Sequence, residues 1–365
     1  MLQRTLPQPF RAQVLTETGL PEYRADDDPR QVPASLRTAR WRFMCDAVDA
    51  WPDLTADARC RLVLLLHALG FYGLVLTLVG ERSGSPVDDP DDEELAYWAA
   101  SARYVLGLPS RVNDYEGADL SGFERIAAAR TDTPLAFNAA LKILTHQARV
   151  GAPIDDLVAW ADRSARLLEI VGPKADDFTQ SLLTSRFHRA IAFLPMRRND
   201  RHEVVRLMDL AERHGRAMTP IGPAQELVYL ENLHPVMESR AKEALWLGDL
   251  DVALARTLAV VDLDPCDSRA WLEVGQVRLR RHELALAAEA YATAATLGAP
   301  STAIARYMAG LCFRDLGQPL LAAFFFEAAL AVDPRATSPH DGIQALPDLP
   351  VLAALKEWSL DSFSL

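Results

Sequence analysis

Residues 314–334 read RDLGQPLLAAFFFEAALAVDP, three consecutive phenylalanines inside an alanine- and leucine-rich run that closes on Asp-Pro. The same order of features occurs upstream. Gly248-Asp-Leu-Asp-Val-Ala253 is followed by Val261-Asp-Leu-Asp-Pro265, just as Asp315-Leu-Gly-Gln-Pro-Leu-Leu-Ala322 is followed by Leu330-Ala-Val-Asp-Pro334. Between them lies a unit with Trp271, Gly275, Ala287, Tyr291 and Ala294. Self-similarity at a fixed spacing marks a repeat architecture, in which each helical unit buries its apolar face on the next.

These residues resemble the tetratricopeptide repeat, whose pattern runs Trp, Leu-Gly, an aromatic, a small Ala, a second aromatic, Ala and a closing Pro. Three units fall at about 234–267, 268–302 and 303–336, close to a period of roughly 34 residues. In the middle unit Trp271, Val274 and Gly275 occupy the first helix and Ala287, Tyr291 and Ala294 the second. In the last, Gly310, Phe313, Gly317, Ala322, Phe326, Ala329 and Pro334 match. The first departs most, with Thr257 in place of the aromatic and Ala241 in place of the first glycine. The packing logic expects Gly275 against Ala287 at the helix crossing, with the aromatic filling the gap toward the next pair. Phe326 takes that aromatic position, and Phe324 and Phe325 are expected to be covered by neighbouring helices, including the one after Pro334.

Upstream, apolar periodicity predicts helices near 35–50, 56–80, 92–107, 121–130, 133–149, 155–171, 176–194, 201–217 and 223–247, the last kinked at His234-Pro235. Strand signals are scarce. The fold class expected is all-α, an α-solenoid of helix-turn-helix units with a helical N-terminal region. Its organisation reads as a flexible segment over 1–33, a helical region over 34–130, degenerate repeats over 131–233, three tetratricopeptide-like repeats over 234–336 and a capping segment over 337–365. Within that last segment Val351 to Trp358 is expected to form a terminal helix that covers the apolar end of the array. The stretch 82–92, RSGSPVDDPDD, reads as surface loop.

The chain has 365 residues, half of them hydrophobic, and a net charge of −12. That balance argues against bulk attraction to nucleic acid or to anionic lipid. Cys45, Cys60, Cys266 and Cys312 form no C-x-x-C, so neither a zinc ribbon nor a dithiol site is indicated. The N-terminal MLQRTLPQPFRAQVL lacks the apolar run of a signal peptide, and a cytoplasmic location is expected. Leu62 to Gly80, LVLLLHALGFYGLVLTLVG, carries no charge and is long enough to be weighed as a membrane span. His67, Gly70, Gly73 and Thr77 interrupt it, and the expectation is a buried core helix.

Enzyme signatures are weak. Asp88, Asp89 and Asp92 spell DDxxD but in a Ser/Pro/Gly loop, and Asn199-Asp200 with Glu203 has the wrong spacing for the second metal motif of helical terpene cyclases. His202-Glu-Val-Val-Arg206 and His282-Glu-Leu-Ala-Leu286 begin like H-E-x-x-H without the second histidine. No catalytic residue, metal site or cofactor is assigned. In RFHRAIAFLPMRR, residues 186–198, the side chains of Arg186, His188, Arg189, Arg197 and Arg198 make a possible anion subsite, against the plainer reading of a solvated helix face.

The resemblance implies a concave groove lined by the first helix of each unit. By register it would be formed by Glu238, Lys242 and Trp246, then Arg269, Leu272, Gln276 and Arg280, then Ile304, Tyr307, Leu311, Arg314 and Asp315. Four cations against two carboxylates make that groove locally basic. The repeats that clamp chaperone C-termini carry an Asn where Lys242, Gln276 and Leu311 stand, which speaks against that ligand. The function expected is a non-catalytic scaffold for a protein or peptide of acidic character, with neither nucleic acid nor membrane as partner. The alternative is an accessory protein or enzyme of a peptide-modifying or other biosynthetic pathway, its site in the 35–200 helical region.

Overall fold

The computed structural model describes residues 28–31, 34–37, 39–69, 71–80, 90–107, 117–129, 133–297, 301–334 and 336–347. Among these the chain is all-α and contains no strand. The readings made of residues 1–27, of Asp88 and Asp89, and of Val351–Trp358 lie outside them. Two compact units are present, Met1–Ser239 and Arg240–Leu365.

The first unit opens with α1 (Ala39–Asp49), α2 (Ala56–Leu69), α3 (Tyr72–Gly80) and α4 (Pro90–Leu106). The charge-free stretch is not one helix but two, and the Phe71 N–H donates to Leu66 O at 2.9 Å where α2 ends. Val63, Leu66, Phe71, Tyr72 and Val75 are buried in one core with Trp41, Met44 and Trp51. His67 is buried with them, its Nε2 2.9 Å from Ser101 Oγ and its ring against Tyr72 and Trp98. No helix among the described residues is long and apolar enough to cross a membrane. Apolarity on all sides is here the mark of a helix enclosed by protein.

Consecutive helices pack against one another through the rest of this unit: α5 (Ser121–Ala129), α6 (Pro134–Arg149), α7 (Ile154–Val171), α8 (Asp177–Ile191), the short α9 (Phe193–Arg197) and α10 (Arg201–Ala217). Their starts are capped as the sequence chemistry requires. The hydroxyl of Thr133 accepts from Ala136 N–H ahead of α6, and the carboxylates of Asp176 and Asp200 accept from Thr179 and Glu203 N–H ahead of α8 and α10. Asp200 is thus a helix cap, the plain role weighed for it. A buried polar link ties α8 to α10: Ser185 Oγ donates to Ala211 O at 2.7 Å and accepts from Asn232 Nδ2 at 3.0 Å.

Asn232 belongs to α11 (Pro223–Leu247), which carries Pro235 in its interior and contributes its last residues to the second unit. There α12 (Leu250–Leu263), α13 (Ser268–Arg280), α14 (Leu284–Thr296), α15 (Thr302–Asp315), α16 (Pro319–Val332) and α17 (Thr337–Gln344) follow in series. The helix pairs turn through one motif. Gly248, His282 and Gly317 have φ of 87°, 61° and 72°. Their N–H groups donate to Leu245, Leu279 and Arg314 O, and those of the next residues to Ala244, Arg278 and Phe313 O. That is the helix closure normally given to glycine in the left-handed region. His282 is therefore the turn residue of the middle repeat, and the H-E that follows the Arg281 position belongs to a helix exit.

At the crossings the aromatic meets the glycine directly. A Cβ on Gly275 would lie 2.5 Å from Tyr291 Cε1, and one on Gly310 2.6 Å from Phe326 Cδ1. The expected Gly275–Ala287 apposition is thus corrected: the Tyr291 ring occupies the space over Gly275, and Ala287 is buried beside it. Trp271 is half-buried and donates its indole N–H to Pro265 O at 2.9 Å, which ties the first helix of one unit to the Asp-Pro turn that closes the unit before.

The three phenylalanines have three environments. Phe326 is fully buried between Gly310 and Gly342 of α17. Phe325 is half-buried and stacks on Phe313 at 5.2 Å. Phe324 is 61% exposed, which corrects the expectation that a neighbouring helix covers it. Three successive helical positions point about 100° apart, so one buried ring leaves its neighbours at the edge and on the outside.

Candidate functional site

The side chains assigned to a groove do not share one environment. On α13, Arg269, Gln276 and Arg280 are exposed, whereas Leu272 is 7% exposed and packs in the core with Ala287 and Tyr291. On α15, Ile304 and Arg314 are exposed, and Tyr307 and Leu311 are half-buried against the cluster around Phe326. Tyr307 lies 5.8 Å from the Phe326 ring, centroid to centroid. Lys242 is exposed and Trp246 half-buried near the end of α11, while Glu238 belongs to the first unit. Among these cations Lys242 has its Nζ 3.0 Å from Glu273, and Arg314 is 2.8 Å from Asp315. Such exposed pairs contribute only about 0–1 kcal/mol and can be exchanged for a ligand's charge.

In the first unit a second set of charges is less exposed. Arg186 donates from Nη1 to Asn138 Oδ1 at 3.1 Å and sits 3.7 Å from Glu231, with 21% and 13% of the two charged side chains exposed. One turn after Asn138 on α6, Lys142 is half-buried with its Nζ 4.1 Å from the centroid of the Tyr104 ring. Arg189 is half-buried, and its Nε is enclosed without a hydrogen-bond partner. Burial, with Arg149 and Arg189 adding to it, pushes Lys142 down to about 7. Burial also lowers Arg189 to about 10, with Arg149 and Arg186 acting in the same direction and Glu238 against it. Burial raises the Glu231 carboxyl, opposed by Arg186. Tyr97 on α4 is pushed up to about 12 by burial, with Arg186 lowering and Glu231 raising it.

The basic strip read over 186–198 is therefore divided. Arg186 and Arg189 face this cluster. His188 instead stacks on His214 at 5.9 Å, and burial followed by His214 and Arg206 lowers it to about 4. Arg197 and Arg198 are exposed after the turn into α9. Sequence reasoning missed Asn138, Lys142, Tyr97 and Glu231. The only signal was the spacing of Asn138, Lys142 and Arg149, which one face of α6 brings together.

No protein-family model matches the chain, and no curated protein does. Among solved structures it is similar to YrrB, described as a TPR protein with an unusual peptide-binding site, at 15% identity and a TM-score of 0.37 over 60% of this chain and 97% of that one. It is also similar to the human IFIT1 dimer with PPP-AAAA, at 10% identity and a TM-score of 0.56 over 83% of this chain and 67% of that one. The IFIT1 dimer with m7Gppp-AAAA gives 10% identity and 0.55 over 86% and 69%. Together with the repeated turn, the glycine–aromatic crossings and the Trp271 tether, the likeness to the IFIT1 structures makes the chain TPR-like in fold, an all-α protein of helical repeats.

Proposed function

We propose that the protein is a non-catalytic scaffold that binds a protein or peptide segment of acidic character along the first-helix faces of the second unit. The observation that supports this reading is the exposure of Arg269, Gln276 and Arg280 on α13 together with Ile304 and Arg314 on α15. The packing duties of those helices fall to other residues, namely Gly275, Gly310 and Leu272. A polar, partly cationic face whose residues hold no part of the core can be given to a ligand without loss of fold.

The test is a fluorescent panel of acidic, neutral and basic peptides titrated against the wild type and the Arg280→Glu, Arg314→Glu double variant. The acidic peptides are expected to bind best. The double variant is expected to stay folded and to lose tenfold or more in affinity, roughly 1.4 kcal/mol per decade, with a loss that shrinks as salt rises. Wild-type affinity in a folded double variant at low salt would remove this face from the function. PPP-AAAA, present with human IFIT1, is the control ligand. Its binding in preference to every peptide would overturn the peptide reading.

A further inference from the structure

The second helix of each pair in the second unit repeats an exposed apolar residue. On α12, α14 and α16, Val252, Leu286 and Leu321 stand immediately before Ala253, Ala287 and Ala322, which are buried at equivalent places in the three pairs. The three apolar side chains are 38%, 44% and 43% exposed. Single apolar residues scattered over a surface are ordinary, but these recur at one register and so share one side of the array. On α16 the row widens, because Leu320 and Phe324 are more exposed still. Phe324 takes the place held by Ala255 on α12 and by Glu289 on α14. Leu286 stays exposed although a further helix pair follows α14, so the exposure of Leu321 is not a consequence of standing near the end of the array.

Charge on the same helices has one sign. α12, α14 and α16 contain a single cation, Arg256, which donates to Arg240 O at 2.8 Å and lies 3.8 Å from Glu243. Asp251, Asp262 and Glu289 are exposed, and Glu327 is half-buried. The arginines that reach these helices from neighbouring elements are engaged as well: Arg281 bonds Asp251 and Glu283, and Arg306 donates to Ala328 O at 2.9 Å. Asp251 therefore already has a cation, and Asp262 and Glu289, the latter one turn after Leu286, are the exposed carboxylates that a partner would meet.

We propose that this face of α12, α14 and α16 docks a cationic amphipathic helix of a partner protein, with the apolar stripe of that helix on Val252, Leu286, Leu321 and Phe324 and its lysines or arginines toward Glu289 and Asp262. An apolar row flanked by carboxylates selects that chemistry, because the row accepts apolar side chains spaced three and four apart while the charges attract a basic segment and repel an acidic one. The other occupants fit worse. A second copy docked through the same face would set carboxylate against carboxylate, and residues 348–365 carry Asp348, Glu357 and Asp361 against Lys356 alone. The surface lies on the second helices, and its occupancy does not depend on the acidic peptide proposed for the first-helix faces.

The experiment is fluorescence anisotropy of the full chain against labelled peptides of about 18 residues, roughly five helical turns: a leucine–lysine amphipathic helix, a scramble of the same composition without the stripe, and a leucine–glutamate counterpart. The leucine–lysine helix is expected to bind at least tenfold more tightly than either of the others. Leu321→Gln with Phe324→Gln is expected to weaken that binding tenfold or more at an unchanged melting temperature, and Glu289→Lys to weaken it several-fold at low salt and less at high salt. Phe43→Gln with Ile221→Gln, which removes exposed apolar side chains from the first unit, is expected to bind as wild type. Binding of the scramble as tightly as the amphipathic helix would overturn the proposal, as would an equal loss in the Phe43 and Ile221 variant. A molecular mass that rises with concentration in wild type and not in the Leu321 and Phe324 variant would give the face to a second copy. A synthetic 348–365 peptide that displaces the labelled helix at lower concentration than the unlabelled helix does would give it to the chain's own end. Should the Leu321 and Phe324 variant misfold, Glu289→Lys and the comparison with the scramble decide the matter without it.

Discussion

Gly275 shows how a single position carries this fold. Its missing Cβ is where the edge of the Tyr291 ring lies, 2.5 Å from where that carbon would be, and the ring is fully buried. Helix propensity favours Ala over Gly by about 1 kcal/mol, so Gly275→Ala would stabilise an unobstructed helix. Here overpacking, worth about 1–3 kcal/mol, opposes that gain. Gly275→Ala is expected to lower the melting temperature, and the same substitution in a Tyr291→Leu background to leave it unchanged or raise it. Equal effects in both backgrounds would dissociate Gly275 from the ring. The glycine and the aromatic were both legible in the repeat pattern. Their direct apposition was not, because spacing along a chain says which face a residue occupies but not which side chain arrives from the facing helix.

Between adjacent helices, the turns carry the repeat more faithfully than the core residues do. Gly248, His282 and Gly317 take equivalent places in three successive pairs, and Asn199, with φ of 55°, closes α9 by the same bonds to Met196 and Pro195. A non-glycine residue in the left-handed region costs roughly 1–2 kcal/mol, of which glycine's larger unfolded-state entropy returns part. His282→Gly is therefore expected to raise stability by up to about 1 kcal/mol, read as a higher midpoint in urea unfolding. A fall would show that the imidazole makes a stabilising contact that outweighs the backbone strain. The same element-level view explains α16. Ala322, Ala323 and Phe326 face inward, while Leu320 and Phe324 are 53% and 61% exposed, so its apolar sequence is broader than the stripe that the neighbouring helices cover.

Across the molecule, titration and charge follow enclosure more than composition. His67, His146, His188 and His214 are all lowered from 6.5, in each case chiefly by burial, so they stay neutral in the folded chain where the unfolded chain takes up protons. The unfolded state binds more protons below about pH 6.5, and stability is therefore present in full above that pH and lost as pH falls below it, down to about 4 for His188. Urea unfolding at pH 7.5 and 5.5 is expected to show a lower midpoint in acid, with a smaller drop in His67→Leu. A pH-independent midpoint would mean that these histidines are solvated. The repeat fold of residues 268–334 could be read from the chain because each unit pairs with its sequence neighbours, so the small, aromatic and turn residues that hold it recur at one period. The charged cluster of Lys142, Arg186, Arg189 and Glu231 could not, because its members come from three helices far apart in sequence and meet only when those helices pack, and burial is then the largest influence on the basicity of Lys142, Arg189 and Glu231.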